Sequence, residues 1–451
     1  MRATGYQFRA MNSDEEPDPD RQGGNGGLLM LTLLACIAGA GAGAIGALFR
    51  LSLLHVDAWR NALIAWSHGI PIAGFLLVTA SCAAAVAVAA FLVRRYSPEA
   101  SGSGIPHVEA VLREELPPAP FSVLPVKFFG GLLAIGSGLA LGREGPSVQM
   151  GASIAHVVGT LARRRWPDAR ALLAAGAGAG LAAAFNAPTA GAVFVLEELV
   201  RRFEPRMAIA ALAASTGAIF VSRMVLGDAP DFDVGPLPDP SAATMPLHLA
   251  LGVVAGLLAA GYNWTLLAAI AVAEYLRRCP VELRAGLIGA AVGALAWFAP
   301  DLVGGGDPIT QRALDGSGTL AVLPLIFLLR FVLGAVSYAA GTPGGLFAPL
   351  LVLGAQLGLC FGIFSRMAFP DLDIVPQAFA VVGMAAFFAV VVRAPVTGIT
   401  LVVEMTANVT MLLPMLGASF VAMLVPTLLG NAPIYDSLRP QSLSRDRVPD
   451  A

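Results

Sequence analysis

Charge is scarce in this chain. Of its 451 residues, 13% are Asp, Glu, Lys or Arg, about half the share usual in a soluble domain. Hydrophobic residues make up 57% and mean hydropathy is +0.74. A surface so poor in charge cannot face water, and a chain so apolar is not disordered. Lysine is nearly missing: Lys127 is the only one, within Pro125-Val126-Lys127-Phe128, which excludes a phosphate-binding P-loop. The formal net charge of −2 gives no basic surface for nucleic acid. Four cysteines (Cys36, Cys82, Cys279, Cys360) form no CxxC or Cys/His cluster, so neither a disulfide framework nor a metal site is expected. The histidines show no ligand spacing, and no GxSxG nucleophile elbow occurs. Glycine and proline are plentiful instead, at 50 and 32 residues, which suits broken or tightly packed membrane helices.

The fold class expected is therefore an all-α polytopic membrane protein. Segments 27–54 and 70–93 are long enough to cross a bilayer, which takes about 20 apolar residues. Arginine clusters at Arg163-Arg164-Arg165, Arg201-Arg202 and Arg277-Arg278 should face the cytoplasm. Residues 171–200 lie between two of these clusters, so the chain must enter and return within the segment. The turn is expected at Asn186-Ala187-Pro188, leaving two arms of about 15 residues, roughly 22 Å each, too short to span about 30 Å. Broken helices at membrane depth are where transporters bind ions. Residues 1–26 are polar and acidic, lack the order of a signal peptide, and read as a cytoplasmic tail. Residues 439–451 read as a second short cytoplasmic tail with no regulatory domain.

The chain also repeats itself. Gly142, Pro146 and Gly151 match Gly345, Pro349 and Gly354, each pair 203 positions apart. Gly176, Pro188, Gly191 and Glu197 match Gly383, Pro395, Gly398 and Glu404, each pair 207 apart. Two blocks in the same order at nearly the same offset indicate duplicated halves, about 27–240 and 241–438, within one transmembrane domain of residues 27–438. Transporters commonly place their site between such halves.

Three Gly/Pro-rich segments each open an apolar helical run: Gly102-Ser103-Gly104-Ile105-Pro106, Gly142-Arg143-Glu144-Gly145-Pro146 and Gly344-Gly345-Leu346-Phe347-Ala348-Pro349. Proline in a first turn starts a helix, and the free N–H groups there attract anions. Several such ends meeting would hold a small anion without a full positive charge. The competing reading of each segment is an ordinary tight turn. At Glu144 two readings stand open. It is either a first-turn acid paired with Arg143, or a carboxylate that imitates the anion, occupying the site when ionised and leaving it when protonated. Glu197-Glu198 is either an interfacial ion pair with Arg201-Arg202 or a proton acceptor. Glu109, Glu274 and Glu404 read as structural. Tyr435 either anchors the chain at the membrane interface or donates a hydrogen bond to an anion.

Together with Pro125-Val126-Lys127-Phe128-Phe129, Phe185-Asn186-Ala187-Pro188 and Arg393-Ala394-Pro395, these segments closely resemble the CLC family of chloride channels and proton/chloride exchangers, over about residues 27–438. Leu346 stands where the family usually has isoleucine. The resemblance implies tilted and partial helices in two inverted-topology repeats, and a homodimer with one anion pathway per subunit in a bacterial inner membrane, both termini cytoplasmic. It implies chloride coordination by the hydroxyls of Ser103 and Tyr435 and the backbone N–H groups of Leu346 and Phe347. Glu144 matches the external gate and Glu198 the internal proton acceptor of the exchangers; the channels generally lack an acid there. Ser103 matches chloride-type members. The function implied is chloride/proton antiport, with no cofactor beyond the transported chloride. The alternative is a passive voltage- or pH-gated chloride channel on the same scaffold. An intramembrane hydrolase would need a Ser/His or paired-Asp arrangement, and none is visible.

Overall fold

The computed structural model describes residues 25–445, so most of the acidic N-terminal segment and the last six residues lie outside the described part. Among the described residues there are seventeen α-helices and no named strand. The first eight are α1 (Asn25–Ser67), α2 (Pro71–Tyr96), α3 (Ile105–Leu112), α4 (Val123–Gly136), α5 (Glu144–Leu161), α6 (Trp166–Phe185), α7 (Pro188–Phe194) and α8 (Pro205–Leu226). The linker 227–244 separates them from α9 (Met245–Tyr275), α10 (Val281–Phe298), α11 (Asp307–Leu314), α12 (Leu323–Ala339), α13 (Phe347–Ala368), α14 (Pro376–Val392), α15 (Pro395–Thr406) and α16 (Leu412–Leu428). α17 (Ile434–Arg445) follows.

The prolines are spent on helix starts: α3, α6, α7, α8, α9, α11, α12, α14 and α15 each carry one in the first two positions. There the missing N–H costs no intrahelical bond and the fixed φ suits a helix. Six helices are long and apolar enough to cross a bilayer, while α4, α12, α14, α15 and α16 are shorter apolar helices. Large apolar side chains such as Ile72, Phe220, Phe298 and Leu428 are exposed on the outside of the bundle, where lipid rather than water is the compatible solvent.

The duplication read from the sequence is visible in three dimensions, contact by contact. Gly142 and Gly345 exchange backbone hydrogen bonds of 2.9 and 2.7 Å in an antiparallel bridge, so the two halves meet at equivalent residues. α5 crosses α6 where a Cβ on Gly151 would lie 2.3 Å from the Gly176 carbonyl oxygen, and α13 crosses α14 where a Cβ on Gly354 would lie 2.4 Å from that of Gly383. The small-residue contact that lets helices approach in lipid is thus used twice, at matched positions. Asn186 and Arg393, also matched, end α6 and α14 in the left-handed region at φ 51 and 68.

Glu197 and Glu404 extend the symmetry. The Glu197 carboxylate accepts the N–H groups of Val396 and Thr397 at 3.0 and 2.7 Å. The Glu404 carboxylate accepts those of Thr189 and Ala190 at 3.0 and 2.8 Å. Each half therefore caps the helix start of the other with a carboxylate, satisfying two free N–H groups and the helix dipole at once.

One expectation is corrected. The chain does turn at Asn186-Ala187-Pro188, but the first arm, α6, has 20 residues, because Pro167 starts the helix inside the arginine-rich stretch. The second arm is short as expected: α7 has seven residues and passes into a five-residue π-helical segment, Val195–Leu199. The boundary drawn at residue 438 falls inside α17, whose first turn follows Pro433 and carries Asp436. The helix continues from there through Arg445.

Candidate functional site

The three Gly/Pro-rich segments become helix starts at Ile105, Glu144 and Phe347, and they converge. Gly102, Gly142 and Gly345 do the joining. Gly102 donates its N–H to the Thr342 carbonyl and accepts one from Gly344, both at 3.1 Å, while Gly142 and Gly345 pair as described. The carbonyl of Gly102 also accepts the Lys127 ammonium at 2.7 Å. Gly102 (φ 63) and Gly104 (φ 83) lie in the left-handed region, where a side chain would be strained. The Cβ of any other residue at Gly145 would sit 2.6 Å from the Ser103 hydroxyl, so α5 can start against this loop only with glycine there.

Glu144 sits at the meeting point and is fully buried. Its Oε1 accepts the Phe347 N–H at 2.5 Å, so the carboxylate lies on the first turn of α13, bonded to the residue that matches it in the other repeat. A Cβ at Gly142 or Gly345 would fall 1.9 or 2.1 Å from the carboxylate oxygens. These two glycines therefore clear the space the carboxylate occupies. Of the two readings of Glu144, pairing with Arg143 is not what the structure has: the ion pairs of Arg143 are with Asp231 and Asp307.

Ser103, Leu346, Phe347 and Tyr435 surround the same point and are all buried. The Phe347 and Tyr435 rings lie 6.1 Å apart, and the Tyr435 phenol is within electrostatic range of Glu144 and Ser103. Tyr435 is therefore not an interface anchor. α17 packs against α3 and delivers it to the interior. The Ser103 and Tyr435 hydroxyls face one another, and their oxygens and Glu144 Oε2 are buried with hydrogen-bonding capacity to spare for a ligand or water.

Glu198 lies elsewhere, at the end of the π-helical segment, and is buried. Arg201 gathers three acids: Glu198 at 3.3 Å, Glu109 at 3.5 Å and Asp436 at 3.1 Å. A cavity of about 520 Å³ opens beside them, lined by Glu197, Glu198, Arg201, Arg202 and Arg393 among others. Tyr435 and Asp436 are neighbours in sequence, so the first turn of α17 reaches from the buried hydroxyl cluster to the acid cluster.

Several residues of these sites carry no sequence motif. Tyr338, whose hydroxyl accepts the Ser103 N–H at 3.3 Å, belongs to no recognisable segment. Lys127 had a readable signal, being a lone lysine in an apolar helix. Glu109 reads as structural from sequence, and the structure places it in the Arg201 cluster.

Broken helices in two matched halves, with their N-termini aimed at one buried point, define a membrane protein built to handle a small anion. The family model for the voltage gated chloride channel matches residues 85–427, and the chain belongs to that family, the CLC proteins. It is 40% identical to the H(+)/Cl(-) exchange transporter ClcA of Cronobacter sakazakii over 429 residues, which covers 93% of this chain and 91% of that protein. It is 37% identical to the transporter of the same name from Vibrio parahaemolyticus, covering 92% and 90%. Its fold matches the crystal structure of a slow cyanobacterial Cl-/H+ antiporter with a TM-score of 0.88 at 31% identity, covering 93% of this chain and 99% of that one.

Proposed function

We propose that this chain is a chloride/proton antiporter of the bacterial inner membrane, working as a homodimer with one pathway per subunit and both termini in the cytoplasm. Chloride and protons are its substrates, and it needs no cofactor. The observation that carries this reading is the Glu144 carboxylate accepting the Phe347 N–H. A negatively charged group rests on a helix start where an anion would rest, so anion and carboxylate compete for one place. Ionised, Glu144 closes the path as the external gate. Protonated, it loses its attraction to the N–H groups, swings out, and lets chloride settle between the Ser103 and Tyr435 hydroxyls and the backbone N–H groups of Leu346 and Phe347. One side chain then gates the anion and carries the proton.

Glu198 is the internal proton acceptor. One guanidinium facing three carboxylates leaves its cluster short of positive charge, so a proton arriving there relieves repulsion. The adjoining cavity gives that proton a route from water. An acid at this position and the exchangers named among the relatives favour antiport over a passive channel.

The test is a Glu144→Gln variant in liposomes. Glutamine keeps the shape and removes the titration, so chloride flux should persist while proton movement falls to the level of empty vesicles. A variant that stays coupled like the wild type overturns the gating role.

A further inference from the structure

Four charged residues next to Glu144 belong to none of the roles above. Arg143 precedes the gate in sequence and caps α5. Its Nε donates to the Ala184 carbonyl at 2.8 Å, Nη1 to Asp307 at 2.9 Å and Nη2 to Asp231 at 2.9 Å. Its guanidinium carbon lies 5.7 Å from the centre of the Phe185 ring. Arg50, from α1, reaches the other oxygen of Asp231 at 2.7 Å. Asp231 is thus shared by two arginines and its side chain is only 3% exposed, while that of Asp307 is 48% exposed.

Both acids are braced from behind. Arg330, buried, donates to the carbonyls of Leu302, Gly304 and Gly305 at 3.2, 2.9 and 3.1 Å, fixing the turn that leads into Asp307. Just after Asp231, the Phe232 N–H bonds the Met405 carbonyl at 2.9 Å and Asp233 is held by the Gln311 side chain at 3.1 and 2.7 Å; just before it, the Asn186 amide donates to the Ala229 carbonyl at 2.9 Å. A positioned guanidinium is what this bracing produces. Two acids and two arginines also cancel in charge.

We infer that Asp231 and Asp307 are positioning residues for the gate: they hold the Arg143 guanidinium away from the neighbouring Glu144 carboxylate, leaving that carboxylate free to exchange between the α13 helix start and solution. This rests on the gating role proposed for Glu144. The groups facing Glu144 are Arg143 from its own helix start, the Tyr435 phenol from α17 and the Phe347 and Ala348 N–H groups from α13. Arg50, Asp231 and Asp307 act on it through Arg143. When an acid is removed, Arg143 loses a partner and gains a net charge. Asp57, the other acid on this side, is already paired with Arg60 at 2.7 Å, so Glu144, adjacent in sequence and without an ion pair, is left to compete for the guanidinium, and pairing there favours the ionised gate.

The experiment measures chloride-driven proton transport by the full chain in liposomes as pH is varied. Asp307→Asn should move the pH profile toward acid by about one unit, the size expected when a cation comes within a few ångströms of a carboxylate. Asp231→Asn should move it further, since two arginines are freed. Because Asp231 is buried and its variant can fail to fold, the exposed Asp307 carries the test if that happens. Both substitutions are repeated in a Glu144→Gln background, reading chloride flux, where no carboxylate remains for Arg143 to capture and no shift is expected. An unmoved profile for folded Asp307→Asn overturns the inference. So does an equal shift in the Glu144→Gln background, which would make the acids part of the anion path itself. If Glu144→Gln alone remains coupled, the gating role fails and the clamp with it.

Discussion

The proposed antiport assigns each buried polar group around Glu144 a distinct duty, and substitutions should separate them. Tyr435→Phe removes one donor without changing shape. A hydrogen bond to a charged group is worth about 1.5–3 kcal/mol, so chloride should bind roughly tenfold or more weakly, as read by calorimetry on the purified protein. Unchanged affinity would mean that the phenol serves packing alone. Glu198→Gln should leave chloride flux and lose proton movement, as read with a chloride electrode and a pH electrode on the same vesicles. Continued proton movement would assign the internal transfer to another acid, and Glu109, sharing Arg201 with it, is the first to try. At this scale the sequence was informative where a motif carried the residue. Ser103, Glu144, Leu346 and Phe347 lie in three segments whose Gly/Pro pattern marks helix starts. Tyr338 and Asp231 carry no such pattern, because what places them is the meeting of distant loops.

Among the helices, the clearest dependence is on matched glycines. At Gly354 an added Cβ would lie 2.4 Å from the Gly383 carbonyl oxygen, backbone that cannot turn aside. Gly354→Val should therefore cost at least about 3 kcal/mol, the upper end of what overpacking a well-packed interior usually costs. The measurable result is loss of the monodisperse peak in size-exclusion chromatography. The reciprocal caps are gentler. Glu404→Ala unpairs two N–H groups at the start of α7 and should cost about 1 kcal/mol, the usual loss for a helix cap, seen as a lower thermal midpoint with chloride flux retained. The sequence shows Glu197 and Glu404 as a matched pair 207 positions apart. It cannot show that each caps the other half, since that depends on how the halves are apposed. The length of α6 differs for a related reason: the apolar segment is bounded at residue 171, after the arginine cluster, whereas the helix begins inside that cluster at Trp166, with Pro167 in its first turn.

For the whole molecule, scarcity of charge and abundance of glycine and proline prove to be two sides of one design. Each of the six long apolar helices among the described residues has an 18-residue stretch with at most two charged side chains. Within the described residues two ion-pair clusters adjoin the converging helix starts, one through Arg143 beside Glu144 and one through Asp436 beside Tyr435, while other pairs, such as Arg94 with Glu282 and Arg164 with Asp168, lie apart from them. The duplicated halves were legible because glycine and proline are irreplaceable at the same crossings in both. How those halves meet, at the Gly142 and Gly345 pair, was not. If each subunit of a dimer has its own pathway, vesicles with wild-type and Glu144→Gln subunits mixed should show proton transport in proportion to the wild-type share, as read from initial rates. A steeper fall would mean that the subunits gate together. The most direct measurement is made on the wild-type chain: purified protein in liposomes, with an outward chloride gradient and no pH gradient. Antiport requires protons to be driven inward, against the pH difference that builds up, and to stop when that difference balances the chloride gradient still remaining. Chloride efflux with no uphill proton movement would contradict it and leave a passive chloride channel.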